Sequence, residues 1–455
     1  MEDVKLGHAT GVKAVYDVDD KPPLKEAVPL GLQHVLAMFA GNITVPIIIA
    51  GVLGFGVAER GFLIQCAMLV AGIATLIQAN RIGPVGANLP VVMGTSFGFV
   101  PTASAIGKEF GMSGILGAAF IGGFFEAVLG YFLKPLRKYF PPIVTGTVLL
   151  TIGLSLIPTG INYFAGGVGA ADFGSFLNLG LGTLVLITII IFNQFFKGFM
   201  SMAAILIGIV VGYIVAIPLG KIDFAPVAAA GWFSIPTPFE YGLTFHWSAI
   251  VAMLIMYIVT TVETVGDISG ITCGGAGREA TDKELSGGVI ADGLMSSFAA
   301  IFNALPNTSY SQNVGIVSFT GVMSRYVVTI GAIFLIAAAM FPKLGAIIAV
   351  MPPSVLGGAA VVMFAMIATA GITLISQTTL NRRNLLVVAV ALGLGLGLGT
   401  VPNALQNFPE SIRLIFAGSG IVVAGLVALI LNVILPVEKT DLADDKKAKC
   451  LEEKE

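Results

Sequence analysis

Long apolar segments recur along almost the whole chain and are separated by short polar stretches. Twelve of these segments are long enough to cross the hydrocarbon core of a bilayer as helices. They lie near residues 28–50, 61–79, 114–133, 141–160, 178–196, 200–218, 246–270, 285–303, 327–341, 352–376, 384–401 and 412–436. The pattern predicts an all-α integral membrane protein.

Two further segments, 90–106 and 306–322, are shorter and are interrupted by Gly, Pro, Ser and Thr. The run from Pro306 to Asn313 carries hydrogen-bonding groups at nearly every position, as no lipid-facing helix would. Irregular backbone is tolerated at membrane depth only where protein buries it or where it lines a cavity, and transporters bind substrates at such breaks. We therefore predict fourteen segments, with a binding site where two broken segments cross as short extended pieces.

The two broken segments belong to an internal repeat. Thr95-Ser96-Phe97 recurs as Thr308-Ser309-Tyr310 at an offset of 213, and Pro141-Pro142 recurs as Pro352-Pro353 at an offset of 211. Seven segments per half is an odd number, so the two halves must have opposite orientations in the bilayer. The fold class predicted is a 7+7 inverted repeat with core and gate domains.

The repeat also predicts the domain boundaries. The core domain comprises residues 28–140 and 246–351, the gate domain comprises residues 141–245 and 352–436, and the tails are residues 1–27 and 437–455. Because the first 27 residues lack the basic-then-apolar pattern of a signal peptide, we expect the chain to start as a cytoplasmic tail.

Composition and charge agree with this topology. The chain is 56% hydrophobic and 11% charged, whereas charged residues are about a quarter of soluble domains. With the N-terminus inside, ten basic residues fall in inner loops and five in outer loops, as the positive-inside rule requires. The inner set is Arg81, Lys134, Arg137, Lys138, Lys197, Arg278, Lys283, Arg325, Arg382 and Arg383. Both tails are then cytoplasmic, and a net charge of −2 gives no argument for nucleic acid.

Catalytic and metal chemistry find little support. The three cysteines, Cys66, Cys273 and Cys450, lack the spacing of a disulfide framework or a zinc site. Three histidines and three scattered cysteines provide neither a nucleophile–base set nor a metal cluster. We expect no enzyme, no metal and no cofactor.

Two acidic residues stand out within the apolar run from Ile250 to Ile271. Glu263 and Asp267 are four residues apart and so share one face of a helix. Ionisable residues inside membrane spans are costly and usually face a cavity, a partner or an ion path. The alternative is a structural hydrogen-bonded pair, or a helix end nearer the surface.

Gln312 and His34 are the other polar candidates. The planar amide of Gln312 carries a donor and an acceptor, which match the alternating N–H and C=O edge of an oxopurine. Either Gln312 or its neighbour Asn313 could instead cap a half-helix. A lone histidine such as His34 on an apolar face is more often structural than a proton carrier.

Three motifs resemble those of one transporter family. They are Gln312-Asn313-x-Gly315-x-x-x-x-Thr320, Gln33-His34 in the first apolar segment and Glu263-Thr-Val-Gly-Asp267 in a later one. In this order they resemble the nucleobase–ascorbate transporter family, also called nucleobase:cation symporter-2. The resemblance runs from about Leu30 to Pro436.

The resemblance implies roles for named residues. Glu263 would accept hydrogen bonds from ring N–H groups, Gln312 would bind the substrate edge, and Asp267 would tune proton coupling. The implied substrate-binding set is completed by Phe97 over the ring, Tyr310 and Ser311, and the supporting set is Asp267, Asn313, His34, Asp292 and Asn88. Uracil-type relatives typically have glutamate at position 312 and histidine at position 267, so the chain is similar to the xanthine and urate branch.

The expected function is proton-coupled import of a purine, xanthine or uric acid or both, across a plasma or inner membrane. The residues leave Na⁺ open as the coupling ion, and a homodimer is expected from the family alone. The alternatives are a carrier for uracil or another nucleobase, and an anion exchanger on the same fold. Anion exchange is disfavoured because neither broken segment contains a lysine or arginine.

Overall fold

The computed structural model describes residues 14–136, 139, 141–409, 412–417 and 419–436. The predicted tail 437–455, residues 1–13 of the predicted N-terminal tail, and Arg137 and Lys138 of the predicted inner loops lie outside the described residues.

Helices account for most of the described chain. The longer ones are α1 (Leu24–Leu53), α2 (Val57–Ala79), α3 (Val100–Tyr131), α4 (Pro142–Phe164), α5 (Phe176–Phe195), α6 (Ala204–Ala216), α7 (Trp247–Ala276), α8 (Asp282–Ile301), α9 (Ser311–Thr320), α10 (Arg325–Ala339), α11 (Pro342–Ala349), α12 (Pro353–Ser376), α13 (Arg382–Thr400) and α14 (Gly420–Ile434). Short helical turns occupy Phe97–Phe99, Leu133–Leu136, Phe199–Met202, Ala225–Ala229, Pro402–Leu405 and Arg413–Ala417. The two strands are β1 (Met93–Thr95) and β2 (Asn307–Ser309).

Every predicted segment overlaps a helix or strand, but their lengths differ from the prediction. Within the described residues, eight helices are long and apolar enough to cross a membrane, and a ninth crossing results if α10 and α11, bent by 83°, count as one. Gly111 (φ 69°, ψ −170°) interrupts α3, so the predicted segments 90–106 and 114–133 lie on either side of a kink. The number of crossings, fourteen, stays a prediction.

The two broken segments meet as short extended pieces, as predicted. β1 and β2 pair antiparallel with Met93 opposite Ser309, Gly94 opposite Thr308 and Thr95 opposite Asn307, and all six residues are buried. The pairing continues beyond the strands, because the main-chain N–H of Ser96 donates to Pro306 and that of Tyr310 donates to Val92. Two interrupted helices thus satisfy each other's main-chain groups.

The helices opened by the repeated Pro-Pro pairs, α4 and α12, pack against each other along their lengths. Glycines allow the close approach: Gly146 contacts Gly371, Gly153 contacts Ala368, and Gly357 contacts Phe164. Residue numbers rise along one helix as they fall along the other, so the two equivalent helices are antiparallel. This geometry confirms that the halves of the chain are inverted.

The remaining packing forms two groups. Helices α1 and α2 contact β1, and α7 and α8 contact β2, while α3 packs on α7 and α8 and α10 packs on α2. A second group consists of α4 with α12, α5 with α6, and α13 with α14. These groups correspond to the expected core and gate, although the predicted boundaries between them stay predictions.

Part of the predicted N-terminal tail is built into the first group. The main-chain N–H of Val15 donates to Gly321 over 2.8 Å, and those of Met323 and Arg325 donate to Tyr16 and Val18 over 2.9 and 3.1 Å. Residues 15–18 therefore run beside the loop that follows α9. Helix α1 then begins at Leu24, four residues before the predicted boundary.

Gly153→Ala tests the α4–α12 contact. A Cβ atom at Gly153 would lie 2.4 Å from the main-chain nitrogen of Ala368, so one helix would have to shift. We expect this overpacking to destabilise the protein by about 1–3 kcal/mol. The measurement is thermal denaturation of the detergent-solubilised protein. The control is Gly180→Ala in α5, where a Cβ atom would meet nothing within 4 Å; equal melting temperatures for the two variants would contradict the expectation.

Candidate functional site

Helix α9 begins at the end of the strand pair. Tyr310 is still extended (φ −104°, ψ 110°), and Ser311 is the first helical residue, so the helix starts deep inside the molecule. It ends after ten residues at Gly321, whose φ of 66° is the left-handed conformation typical of a helix C-terminus. The first turn of α9 carries Ser311, Gln312 and Asn313, and the Asn313 main-chain N–H donates to the Tyr310 carbonyl oxygen over 3.0 Å. Helix geometry directs the N–H groups of this turn toward the end of the strand pair.

A cleft of about 590 Å³ lies between α9 and the second helix group. Ser311, Gln312 and Ile316 form the α9 side, and residues of α5, α6, α12 and the α5–α6 connection form the opposite side. Its volume is in the range of small-molecule sites, and its lining is mostly apolar with a few polar groups. Of the predicted site residues, Ser311 and Gln312 line this cleft directly.

Asp267 holds the strand–helix junction in place. Its two carboxylate oxygens accept hydrogen bonds from the hydroxyls of Ser309 and Ser311, each over 2.7 Å. The carboxylate is buried and spans the point where β2 becomes α9. In this position Asp267 fixes the first turn of α9 against α7.

Glu263 lies one turn before Asp267 on α7 and has a different environment. Its Oε2 atom is buried and has no hydrogen-bond partner among the described residues. A buried acceptor without a donor destabilises the folded protein, because the hydrogen bonds that the oxygen makes to water in the unfolded chain are not replaced. Glu263 is therefore suited to accept a hydrogen bond from a group that enters the site.

His34 and Asn313 join α1 to α9. The Asn313 side-chain nitrogen lies 2.9 Å from His34 Nδ1 and donates to the His34 carbonyl oxygen over 3.2 Å. Both residues are buried. The amide of Asn313 thus binds a neighbouring helix and does not cap α9, while Gln33 contacts the sulfur of Met202 beside the cleft.

Phe97 and Tyr310, which are equivalent in the repeat, meet over Gly41 of α1. A Cβ atom at Gly41 would lie 2.8 Å from the Tyr310 ring and 3.3 Å from the Phe97 ring. Phe97 also packs edge-to-face on Phe364 of α12, with ring centroids 5.2 Å apart. The Tyr310 hydroxyl donates to the carbonyl oxygen of Thr95 over 2.9 Å and so supports the opposite strand.

Asp292 and Asn88 do not line the cleft. Asp292 on α8 accepts a hydrogen bond from Thr264 of α7, and its Oδ1 atom is buried with no partner among the described residues. Asn88 lies in the loop before β1 with φ of 60°, and its main-chain N–H donates to Gln78. The structure shows no side-chain hydrogen bond between Asn88 and the other candidates.

Sequence reasoning missed Glu126. This α3 residue is fully buried and accepts hydrogen bonds from Thr260 and Thr261 over 3.1 and 3.3 Å. It approaches Asp292 because α3 and α8 cross closely at Gly123 and Gly293. Its sequence signal was a single acidic residue inside the apolar segment 114–133. Four acidic residues therefore lie on or beside one stretch of α7: Glu263 and Asp267 belong to this helix, and Glu126 and Asp292 contact its threonines.

The family match decides the class of protein. A model described as the permease family, for xanthine and uric acid permeases, matches residues 25–404. The chain belongs to this family. The motif-based resemblance to nucleobase:cation symporter-2 proteins is thereby confirmed.

Relatives of known name cover nearly the full chain. The uric acid permease PucK of Bacillus subtilis is 40% identical over 422 residues, which are 92% of this chain and 97% of the relative. The xanthine permease XanQ of Escherichia coli K12 is 37% identical over 446 residues, 95% of each chain. Among solved structures, the transmembrane domain of the cyanobacterial bicarbonate transporter BicA matches with a TM-score of 0.57 at 16% identity, covering 92% of this chain and all of that one. The last similarity confirms the inverted-repeat transporter fold.

Ser309→Ala tests the anchoring role of Asp267. The substitution removes one of two hydroxyl donors to a buried carboxylate, which should cost about 1–3 kcal/mol. The measurement is the thermal stability of the solubilised protein. Ser318→Ala on the exposed side of α9 is the control, because the Ser318 hydroxyl bonds only the carbonyl of Val314 in its own helix. If both variants melt like the unmodified protein, the Ser309 hydroxyl does not stabilise the buried Asp267 carboxylate.

Proposed function

We propose that the protein imports a purine nucleobase, xanthine or uric acid or both, by proton symport. The observation that carries the proposal is the unpartnered buried oxygen of Glu263 near a helix start whose Gln312 faces an open cleft. Relatives named as uric acid and xanthine permeases support the substrate class. Permeases need no catalytic residues, and the family match supports transport without chemical conversion.

Recognition would combine three kinds of contact. The carboxylate of Glu263 accepts a ring N–H, and the amide of Gln312 pairs with an adjacent C=O and N–H edge. Main-chain N–H groups in the first turn of α9 donate to a ring oxygen. The Phe97 ring, held by Phe364, supplies an apolar surface beside the ligand.

Proton coupling would use the acidic groups along α7. No lysine or arginine forms an ion pair with Glu126, Glu263, Asp267 or Asp292 in the described part of the chain. Ionised carboxylates without such partners are costly at membrane depth, so reorientation is easiest when protonation of Glu263 and a bound substrate neutralise the site. If uptake follows a Na⁺ gradient instead of a proton gradient, the coupling ion is Na⁺.

The alternatives differ at the same residues. A uracil carrier is disfavoured because Gln312 and Asp267 replace the glutamate and histidine that uracil-type relatives typically have. BicA shares the fold, but the strand pair and the first turn of α9 here contain no basic residue. An anion exchanger would need net positive potential at that point.

We place the protein in the plasma or inner membrane with both termini cytoplasmic. The N-terminal segment supports this orientation, since Arg325 binds both Asp19 and Asn80 and so brings predicted inner loops to one end of the molecule. A homodimer remains a proposal based on the family.

Glu263→Gln tests the binding carboxylate. The amide keeps the side-chain shape but removes the charge and one acceptor, so high-affinity uptake of labelled xanthine should be lost while the protein stays folded. Uptake is measured in membrane vesicles with and without an imposed proton gradient. The control is Glu240→Gln, an exposed glutamate outside the cleft. Normal uptake with unchanged pH dependence in Glu263→Gln would exclude the role.

Gln312→Glu tests selectivity. An ionised glutamate only accepts hydrogen bonds, so one bond to xanthine is lost and a ligand carbonyl faces a carboxylate. We expect xanthine to bind roughly tenfold to a hundredfold more weakly, and ligands with more N–H groups at that edge to lose less. The readout is the ratio of xanthine to uracil inhibition at fixed pH. An unchanged ratio means that Gln312 does not touch the substrate.

A further inference from the structure

The segment before α1 is bound to the end of the helix that carries Gln312. Residues 15–20, named here the N-terminal strap, run beside residues 321–325. Three main-chain hydrogen bonds join them: Val15 N–H to Gly321 over 2.8 Å, Met323 N–H to Tyr16 over 2.9 Å, and Arg325 N–H to Val18 over 3.1 Å. The first of these contacts reaches the residue that terminates α9.

Side chains strengthen the same contact. The Ser324 hydroxyl donates to the carbonyl oxygen of Asp20 over 2.6 Å, and Arg325 Nε donates to the Asp19 carboxylate over 2.8 Å. Tyr16 packs in an apolar cluster with Val322 and Val327. Its hydroxyl donates to Glu26 at the start of α1 over 2.5 Å. The strap is thus fixed at both ends.

Helix α9 needs such support because it is short. Ten residues form fewer than three turns, and isolated helices of this length are not stable in water. Its first turn is held by Asp267 and His34, through Ser311 and Asn313. Its last turn ends at the loop held by the strap. At about 1.5 Å of rise per residue, α9 is only about 15 Å long. A change in the tilt of its far end therefore also changes the orientation of its first turn and of the Gln312 side chain.

We propose that the N-terminal strap is a positioning element of the substrate site. It fixes the orientation of α9 and thereby the placement of Gln312 relative to Glu263. Breaking the strap should weaken substrate binding while leaving the transport cycle intact, because no strap residue lines the cleft. The effect on binding rests on the proposed function; the effect on α9 does not.

The test variant is Val15→Pro combined with Ser324→Ala. Proline removes the N–H that donates to Gly321, and alanine removes the hydroxyl that donates to Asp20. The matched control is Ala14→Pro, which places the same ring one residue away, where no main-chain N–H pairs with residues 321–325. Asp19→Asn is a milder second variant that weakens only the contact with Arg325.

Two measurements separate positioning from simple stability. Amide hydrogen exchange of purified protein should become about tenfold faster in residues 317–325 of the double variant, in line with the loss of two hydrogen bonds. The KM for xanthine uptake should rise about threefold to tenfold, while the maximal rate per folded protein stays within about twofold. Asp19→Asn should shift both quantities in the same direction by less, and Ala14→Pro should shift neither.

Each outcome has one meaning. Faster exchange with an unchanged KM would show that the strap stabilises α9 but does not position the substrate site. Unchanged exchange would show that the strap does not stabilise α9 at all. Either result would overturn the proposal. A fall in the maximal rate as large as the rise in KM would indicate a general folding role and overturn the proposal. If the double variant does not fold, Asp19→Asn decides by the same two readouts. If the unmodified protein takes up no purine, the proposed function fails, and hydrogen exchange alone decides whether the strap holds α9.

Discussion

A helix that stops in the middle of a membrane leaves main-chain N–H and C=O groups without partners, and lipid offers none. This chain meets that constraint by starting two helical segments, at Phe97 and Ser311, in the same place and pairing the strands that precede them. Side chains complete the pairing: the Met93 N–H donates to Thr75 over 2.9 Å, the Thr95 N–H to Asn42 over 2.9 Å, and the Asn307 N–H to Ser296 over 3.0 Å. Three helices, α1, α2 and α8, are thereby tied to the strand pair.

The strand pair also determines what the acidic residues can do. Because β2 runs directly into α9, Ser309 and Ser311 fall on either side of the junction, and one carboxylate on α7 can bind both. Asp267 is satisfied by the protein and serves its architecture. Glu263, one turn away, is left with a free oxygen. Local hydrogen bonding thus distinguishes the two acidic residues of one motif: Asp267 is bound by the protein, and Glu263 keeps an oxygen free to bind a ligand.

Sequence reasoning reached the features that depend on local pattern. The polar run from Pro306 to Asn313 located the broken segment, the spacing of Glu263 and Asp267 located one helix face, and the repeated Pro-Pro pairs located the antiparallel helices. It did not reach contacts that depend on which helix faces which. Glu126 comes near Asp292 through a glycine crossing of α3 and α8, and Asn313 binds His34 of α1; no periodicity within either segment shows this.

Bends within and between the helices were beyond sequence for a related reason. Apolar length does not reveal a bend of 83° between α10 and α11 or a kink at Gly111 within α3. Residue roles such as that of Phe97 came from the family resemblance, and the structure adds the neighbours that each residue contacts. Tyr310 illustrates the difference, since its hydroxyl supports the opposite strand.

The strap and the strand pair both join distant parts of the chain, with Asp20 and Ser324 separated by 304 residues. A ribosome delivers β1 to the membrane long before β2 exists. Until residues 307–309 and 321–325 arrive, the polar main chain of residues 93–95 has no strand partner, and the N-terminal strap lacks its main-chain partners. During synthesis, the unpaired main chain of residues 93–95 must therefore be covered by the first helices or by the insertion machinery. The strand pair and the strap contacts close only when most of the polypeptide has been made.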